Sequence, residues 1–252
     1  MQKLRHPRIS VSLVVAGLLV ATLGAVSTAG AAHCGLGEFS VSGSVTDEFT
    51  GLPLDRITSV GISLSDGTSY DGESTTLPGS TYHVCLPAGS YLLSFFADGY
   101  YFEWYDDSGT QAGVEVVTGS AGEAFSAIDA ALTPWPVITG RVTDSRTGAP
   151  LFTSVGLTDA ATGLGLDGEG TDANGVYEFI LDPTFFPVPG TYLLHFSADF
   201  HWSEWYDNSK KKSKANVISV TPGSGVISGV DAGLKPCGRP VPDFCIPRNF
   251  SR

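Results

Sequence analysis

Positive charge is scarce in this chain, with 14 Lys and Arg against 26 Asp and Glu and a formal net charge of −12 with His neutral. An acidic surface repels phosphate backbones and anionic lipid headgroups, so nucleic acid is excluded as a partner and the acidity reads as solubility. Histidine is limited to five residues, and His33, His83, His195 and His201 are scattered along the chain. With no Gly-x-Ser-x-Gly elbow present, a serine or cysteine nucleophile has no evident base. The four cysteines, Cys34, Cys85, Cys237 and Cys245, lack the paired short spacings of a structural zinc site. No amphipathic helix of useful length is present, and neither a metal nor a cofactor is expected.

Only one stretch is strongly apolar. Lys3, Arg5 and Arg8 precede a run from about Val11 to Val26, followed by small residues through Ala29-Gly30-Ala31-Ala32. This is the pattern of a signal peptide over residues 1–32, with cleavage after Ala31 or Ala32 and membrane contact only during export. The mature protein is then secreted, and loss of the three leader cations takes its net charge to about −15. An even set of cysteines in an exported chain argues for two disulfides. Three pairings are possible, of which Cys34 with Cys85 and Cys237 with Cys245 are favoured.

What the chain does contain is one block used twice. Glu103-Trp104-Tyr105-Asp106 returns about a hundred residues later as Glu204-Trp205-Tyr206-Asp207. In the same register Gly43-Ser44-Val45-Thr46-Asp47 matches Gly140-Arg141-Val142-Thr143-Asp144, and Thr50-Gly51-Leu52-Pro53-Leu54 matches Thr147-Gly148-Ala149-Pro150-Leu151. Tyr91-Leu92-Leu93 falls on Tyr192-Leu193-Leu194, and Ile128-Asp129-Ala130-Ala131-Leu132 on Val230-Asp231-Ala232-Gly233-Leu234. Such a period is too long for a solenoid, so each copy is expected to be a domain. The division is a first domain over 33–133, a proline linker over 134–136, a second domain over 137–235 and a Cys/Pro-rich tail over 236–252.

Within each copy the signal is β. Phe39, Val41, Gly43 and Val45 alternate with Ser40, Ser42, Ser44 and Thr46, the period of two that gives a strand one buried face. Further strands are predicted at Val60 to Leu64, Tyr82 to Cys85, Tyr91 to Ala97, Val114 to Thr118 and Ala127 to Leu132. Their counterparts run from Val155 to Thr158, Val176 to Ile180, Tyr192 to Ala198, Val217 to Thr221 and Gly229 to Leu234. Glycine-bearing turns at this spacing predict an all-β chain of antiparallel sandwiches. The joint Thr133-Pro134-Trp135-Pro136 is short and stiff, so little swing is expected.

Gly-x-Val-Thr-Asp, Thr-Gly-x-Pro-Leu, Thr-Asp-x-x-Gly-x-Tyr, Pro-x-Gly-Thr-Tyr-Leu-Leu, Glu-Trp-Tyr-Asp and the closing Asp-Ala-x-Leu together resemble the carboxypeptidase regulatory-like family. The resemblance covers about Phe39 to Leu234. It implies two tandem transthyretin-like (prealbumin-like) seven-stranded antiparallel Greek-key sandwiches, similar in architecture to starch-binding-like domains. Such modules are non-catalytic attachments of secreted or surface proteins, and fold alone does not settle a ligand. The first copy departs at Thr76-Leu77-Pro78-Gly79-Ser80-Thr81-Tyr82, where the Asp-x-x-Gly-x-Tyr turn would stand.

Two readings attach to the aromatics. Trp104 and Trp205 pack on the scaffold, or Tyr101, Trp104, Tyr105, Trp202, Trp205 and Tyr206 form a platform for sugar rings. Trp202 has no matching Trp in the first copy and is the stronger candidate for an exposed contact. A polysaccharide or another cell-envelope component is the expected partner, with a spacer or protein-interaction module, or an accessory to α-glucan breakdown, as alternatives. His201-Trp202-Ser203-Glu204 spells a zinc-ligand spacing, but Tyr100 replaces the histidine in the first copy, and no third histidine follows. The acidic stretches Asp66 to Glu73 and Asp167 to Asn174 lack the terminal glutamate of a calcium loop and read as turns. Lys210, Lys211, Lys212 and Lys214 form one basic cluster, by default a solvated loop.

Overall fold

The computed structural model describes residues 34–54, 58–68, 81–238 and Cys245. The expected leader, the end of the first acidic stretch, the departing turn before Thr81 and most of the tail lie outside these residues. No helix among the described residues is long and apolar enough to cross a membrane.

The alternating pattern becomes strands. The first copy contributes β1 (Glu38–Asp47), β2 (Thr58–Leu64), β3 (Thr81–Pro87), β4 (Gly89–Ala97), β5 (Glu103–Trp104), β6 (Val117–Gly119), β7 (Ala124–Phe125) and β8 (Ala130–Leu132). The second contributes β9 (Val137–Asp144), β10 (Ser154–Asp159), β11 (Gly165–Gly170), β12 (Val176–Ile180), β13 (Gly190–Ser197), β14 (Glu204–Trp205), β15 (Ile218–Val220), β16 (Val226–Ile227) and β17 (Ala232–Leu234). One sheet of the first sandwich has the order β3-β1-β7 with β8 also on β1, and the other has β2-β4-β5 with β6 on β4. The second sandwich repeats this as β12-β9-β16 with β17 on β9, against β11-β10-β13-β14 with β15 on β13.

Two separate apolar clusters fill these sandwiches, because the inward residues of each sheet pair have nowhere drier to go. Phe39, Leu86, Leu93, Phe95 and Leu132 lie at the centre of the first, and Ile138, Phe179, Leu194, Phe196 and Leu234 at the centre of the second. In each sandwich a tyrosine ties the strands on either side of the first strand together, across Gly43 and Gly140. Tyr82 donates its hydroxyl to the Ile128 carbonyl and Tyr177 to that of Val230, both at 2.6 Å. Burial, reinforced by the nearby Asp129 and Asp231, pushes both phenols well up.

Two features differ from the sequence reading. The sandwiches are not antiparallel throughout: β7 and β8 run parallel to β1, as β16 and β17 do to β9. An alternating pattern records which face is buried and not which way a neighbour runs. Gly165–Gly170, part of it read as a turn, is an edge strand on β10. The rest of that stretch is a hairpin turn, in which Asp172 Oδ1 accepts the Asn174 and Val176 amides at 2.8 Å each.

The joint is hydrogen-bonded to both sandwiches. Tyr101 N–H donates to Thr133 O at 2.9 Å and Trp135 N–H to Gly99 O at 2.9 Å on the first sandwich. On the second, Leu181 N–H donates to Pro136 O at 2.8 Å and Val137 N–H to Gly225 O at 3.0 Å. Phe49 crosses from the first sandwich to the second, and a Cβ on Gly225 would stand 3.3 Å from its ring.

Candidate functional site

The repeated motifs are the natural place to seek a site, and their aspartates at the turns and strand ends have structural partners. Asp47 Oδ1 accepts the Phe49 and Thr50 amides at 3.0 and 2.8 Å, while its Oδ2 takes the Tyr100 hydroxyl at 2.9 Å. Asp144 Oδ1 accepts the Arg146 and Thr147 amides at 2.8 and 2.9 Å, and its Oδ2 meets His201 Nε2 at 3.1 Å. His201, read as incidental to Glu204, therefore has a structural task, and Tyr100 performs the same one. The histidine contact, followed by the turn amides, holds Asp144 far below the usual carboxylate range. The closing aspartates clamp the first strands: Asp129 accepts Ser44 N–H and Asp231 accepts Arg141 N–H, both at 2.7 Å.

Glu-Trp-Tyr-Asp is a hairpin. Trp104 and Ser108 exchange backbone hydrogen bonds, as do Trp205 and Ser209, across turns with Asp106, Asp107, Asp207 and Asn208 at φ between 55° and 63°. Left-handed backbone favours Asp and Asn among residues with a side chain, which accounts for the repeated aspartate. Register then sorts the side chains. Glu103 pairs with Phe95 and Glu204 with Phe196, so both glutamates share the core-facing side. Burial, then the nearby Asp107 and Glu48, raise Glu103 to about 7. Glu204 is also raised by burial, opposed by the Lys235 ammonium. Tyr105 and Tyr206 pack against the two cores as partly buried residues.

The tryptophans take the opposite face. Trp205 registers with His195, His195 with Gly156 and Gly156 with Gly168, giving one row across the outer surface of the second sandwich. The His195 and Trp205 rings lie 4.9 Å apart, and Lys212 Nζ stands 5.6 Å from the indole centroid. Burial lowers the His195 pKa, which keeps the imidazole neutral. The first sandwich differs here: Trp104 registers with Ser94 and is covered edge-on by Phe102 at 5.4 Å. Of the basic cluster, Lys212 also donates to the Gly163 carbonyl at 2.7 Å.

The remaining candidates lie elsewhere. Trp202 corresponds to Tyr101, since both donate their amides to the residue after the last strand, Lys235 and Thr133 respectively. Trp202 is 49% exposed, whereas the Tyr101 hydroxyl is buried at the joint without a hydrogen-bond partner. The six aromatics named as a sugar platform are thus divided among two outer faces, two cores, the joint and one exposed end. Cys34 is bonded to Cys85 and Cys237 to Cys245. Among the described residues, one group could hold a metal, Cys34, His83 and Cys85, and its two sulfurs are joined to each other.

No family model matches the chain, and no curated protein matches it. Among solved structures it is similar to the shaft pilin SpaA of Lactobacillus rhamnosus GG at 12% identity, with a TM-score of 0.45 over 81% of this chain and 99% of that one. It is also similar to the Bacillus anthracis TIE protein at 14% identity, with a TM-score of 0.34 over 80% of this chain and 34% of that one. The major pilin subunit BcpA of Bacillus cereus gives 11% identity and a TM-score of 0.31 over 78% of this chain and 59% of that one.

Proposed function

We propose that the chain is an exported, non-catalytic spacer and protein-interaction module of the cell surface, built from two carboxypeptidase regulatory-like domains over 33–133 and 137–235. One observation carries the reading: the joint between the sandwiches is hydrogen-bonded on both sides, with Phe49 lying across it. A joint so built fixes a distance, which is what a spacer supplies and a catalyst does not need. The motif aspartates support it, because Asp47, Asp144, Asp129 and Asp231 are occupied in turns and strand clamps. Two disulfides suit an oxidising compartment. Spin labels, one on each sandwich, test the reading: one narrow distance distribution is expected, and a broad one for the wild-type chain would overturn it.

A second reading is favoured by the row Gly168, Gly156, His195 and Trp205. Glycine leaves this outer surface flat beside a partly exposed indole, the shape on which a sugar ring stacks, and envelope polysaccharide is the ligand class it fits. Trp205→Ala should then abolish retention on insoluble glucan or cell wall while the melting curve stays cooperative. Retention equal to wild type would remove this reading and leave the first intact.

A further inference from the structure

We infer that the first sandwich carries a redox-gated metal site: once the Cys34–Cys85 bridge is reduced, Cys34, His83 and Cys85 bind one zinc ion. The inference stands apart from the spacer reading, since it concerns one face of one sandwich and not the joint.

β3 supplies two of the three ligands. Tyr82, Val84 and Leu86 are buried in the core, so His83 and Cys85 share the opposite face of the strand, with Ser42 and Ser40 beside them on β1. Cys34 comes from the segment before β1, and its sulfur, the Cys85 sulfur and an imidazole nitrogen of His83 all lie within 4.8 Å of one another. That segment is held by hydrogen bonds that do not involve the disulfide. Glu38 accepts the Gly35 amide through Oε2 at 2.7 Å and donates its own amide to Gly35 O at 3.2 Å, while Ala88 N–H donates to Gly37 O at 3.0 Å. Opening the bridge therefore leaves Cys34 beside Cys85. The duplication shows that the fold does not require the group. Tyr82 pairs with Gly43 as Tyr177 does with Gly140, which puts Glu178 in the place of His83 and Ile180 in that of Cys85. Residues 137–235 contain no cysteine, yet they build the same sandwich.

The donor set selects the metal. Two thiolates and a neutral imidazole suit zinc, whereas calcium and magnesium take oxygen ligands, and the acidic chain as a whole draws cations toward it. Exchange with a dithiol reductant breaks the bond between the two sulfurs, each of which gains a hydrogen, and oxidises the reductant to its own disulfide. Zinc then displaces both thiol protons to solvent, and the two thiolate charges cancel its own. Zn–S bonds of about 2.3 Å in a tetrahedron set the sulfurs about 3.8 Å apart. Side-chain rotation about Cα atoms 5.4 Å apart reaches that separation, and a water takes the fourth position. A covalent staple is thus exchanged for a metal clasp on the same residues, and the start of β1 stays fastened to β3 when the bridge is lost.

Metal titration of the secreted chain carrying Cys237→Ser and Cys245→Ser, in which only one bridge can be reduced, tests this. Competition with a chromophoric chelator measures zinc affinity, and the ultraviolet charge-transfer band of added cadmium reports thiolate ligation. One metal per reduced chain is expected and none per oxidised chain. His83→Ala should weaken zinc binding by about tenfold or more, and His83→Cys, which returns a third ligand, should restore it. Zinc should also raise the melting temperature of the reduced chain and leave that of the reduced His83→Ala variant nearly unchanged. The inference is overturned by a reduced chain that binds zinc no more tightly than one also carrying Cys34→Ser and Cys85→Ser, or by binding indifferent to His83→Ala. Equal binding by the oxidised chain, or loss of cooperative melting on reduction with zinc present, overturns it too. The spin-label distance between the sandwiches does not depend on this metal, so either reading can fail while the other stands.

Discussion

His201 and Asp144 meet at 3.1 Å through Nε2 and Oδ2, in the position where the first sandwich joins Tyr100 to Asp47 at 2.9 Å. Two chemically different donors hold the same aspartate, so the contact serves the turn after the first strand. His201→Tyr should leave the melting temperature nearly unchanged, whereas Asp144→Ala, which also frees the Arg146 and Thr147 amides, should lower it by about 5 °C. Asp144 and Asp47 are both held below their ordinary value of 3.8, Asp47 because its turn and Tyr100 hydrogen bonds together outweigh desolvation. The unfolded chain takes up these protons first, so their stabilisation is present above pH 3.8 and fades as pH falls below it. Urea titrations between pH 5 and 2 check the slope.

Glu103 has the opposite sign. Its folded value of about 7 lies above the ordinary 4.5, so the native state holds a proton that the unfolded chain has released. Stability should therefore decline as pH rises from 4.5 to 7, and Glu103→Gln should reduce that decline, leaving the part that Glu204 contributes. Melting curves at pH 4.5 and 8 decide it: the variant should match wild type at the lower pH and exceed it at the higher.

Gly43 and Gly140 allow the last segment of each sandwich to cross the first strand. A Cβ at Gly43 would stand 2.6 Å from the Ile128 carbonyl carbon, and one at Gly140 2.5 Å from that of Val230. Those carbonyls accept the Tyr82 and Tyr177 hydroxyls, so the added methyl strains a close approach and a buried hydrogen bond together. Gly140→Ala should cost about 2–4 kcal/mol in chemical denaturation, more than a typical surface change.

The disulfides should contribute unequally. Cys34 and Cys85 are separated by 51 residues and Cys237 and Cys245 by 8. Loop-closure entropy assigns about 4 kcal/mol to the first bridge and about 2.5 kcal/mol to the second. Calorimetry of Cys34→Ser with Cys85→Ser should show the first sandwich melting earlier while the second, which has no bridge inside it, holds its transition.

Much of the fold was legible in the chain: β1 and β9 lie where apolar and polar residues take turns, and β4 and β13 where the Tyr-Leu-Leu run repeats. Gly165–Gly170 escaped because a glycine- and acid-rich segment carries no strand signature, and only its pairing with β10 makes it one. Glu103–Trp104 is too short for any period to register, so the sequence could not tell that the glutamate faces inward and the indole outward. Tyr101 and Trp202 hold equivalent positions, yet the Tyr101 hydroxyl is buried and Trp202 is 49% exposed, because the joint to the second sandwich covers the first of them. Duplication revealed which residues matter to the module, and the hydrogen bonds of Asp47, Asp129 and Tyr82 show why.

The parallel pairing of β8 with β1, and of β17 with β9, governs how the molecule would respond to tension. In each sandwich the entering strand and the leaving strand lie side by side and point the same way, so traction on the two termini slides one along the other. Their rungs must then yield together instead of peeling apart one at a time, and stretching force meets its stiffest resistance along the line on which the two modules are threaded.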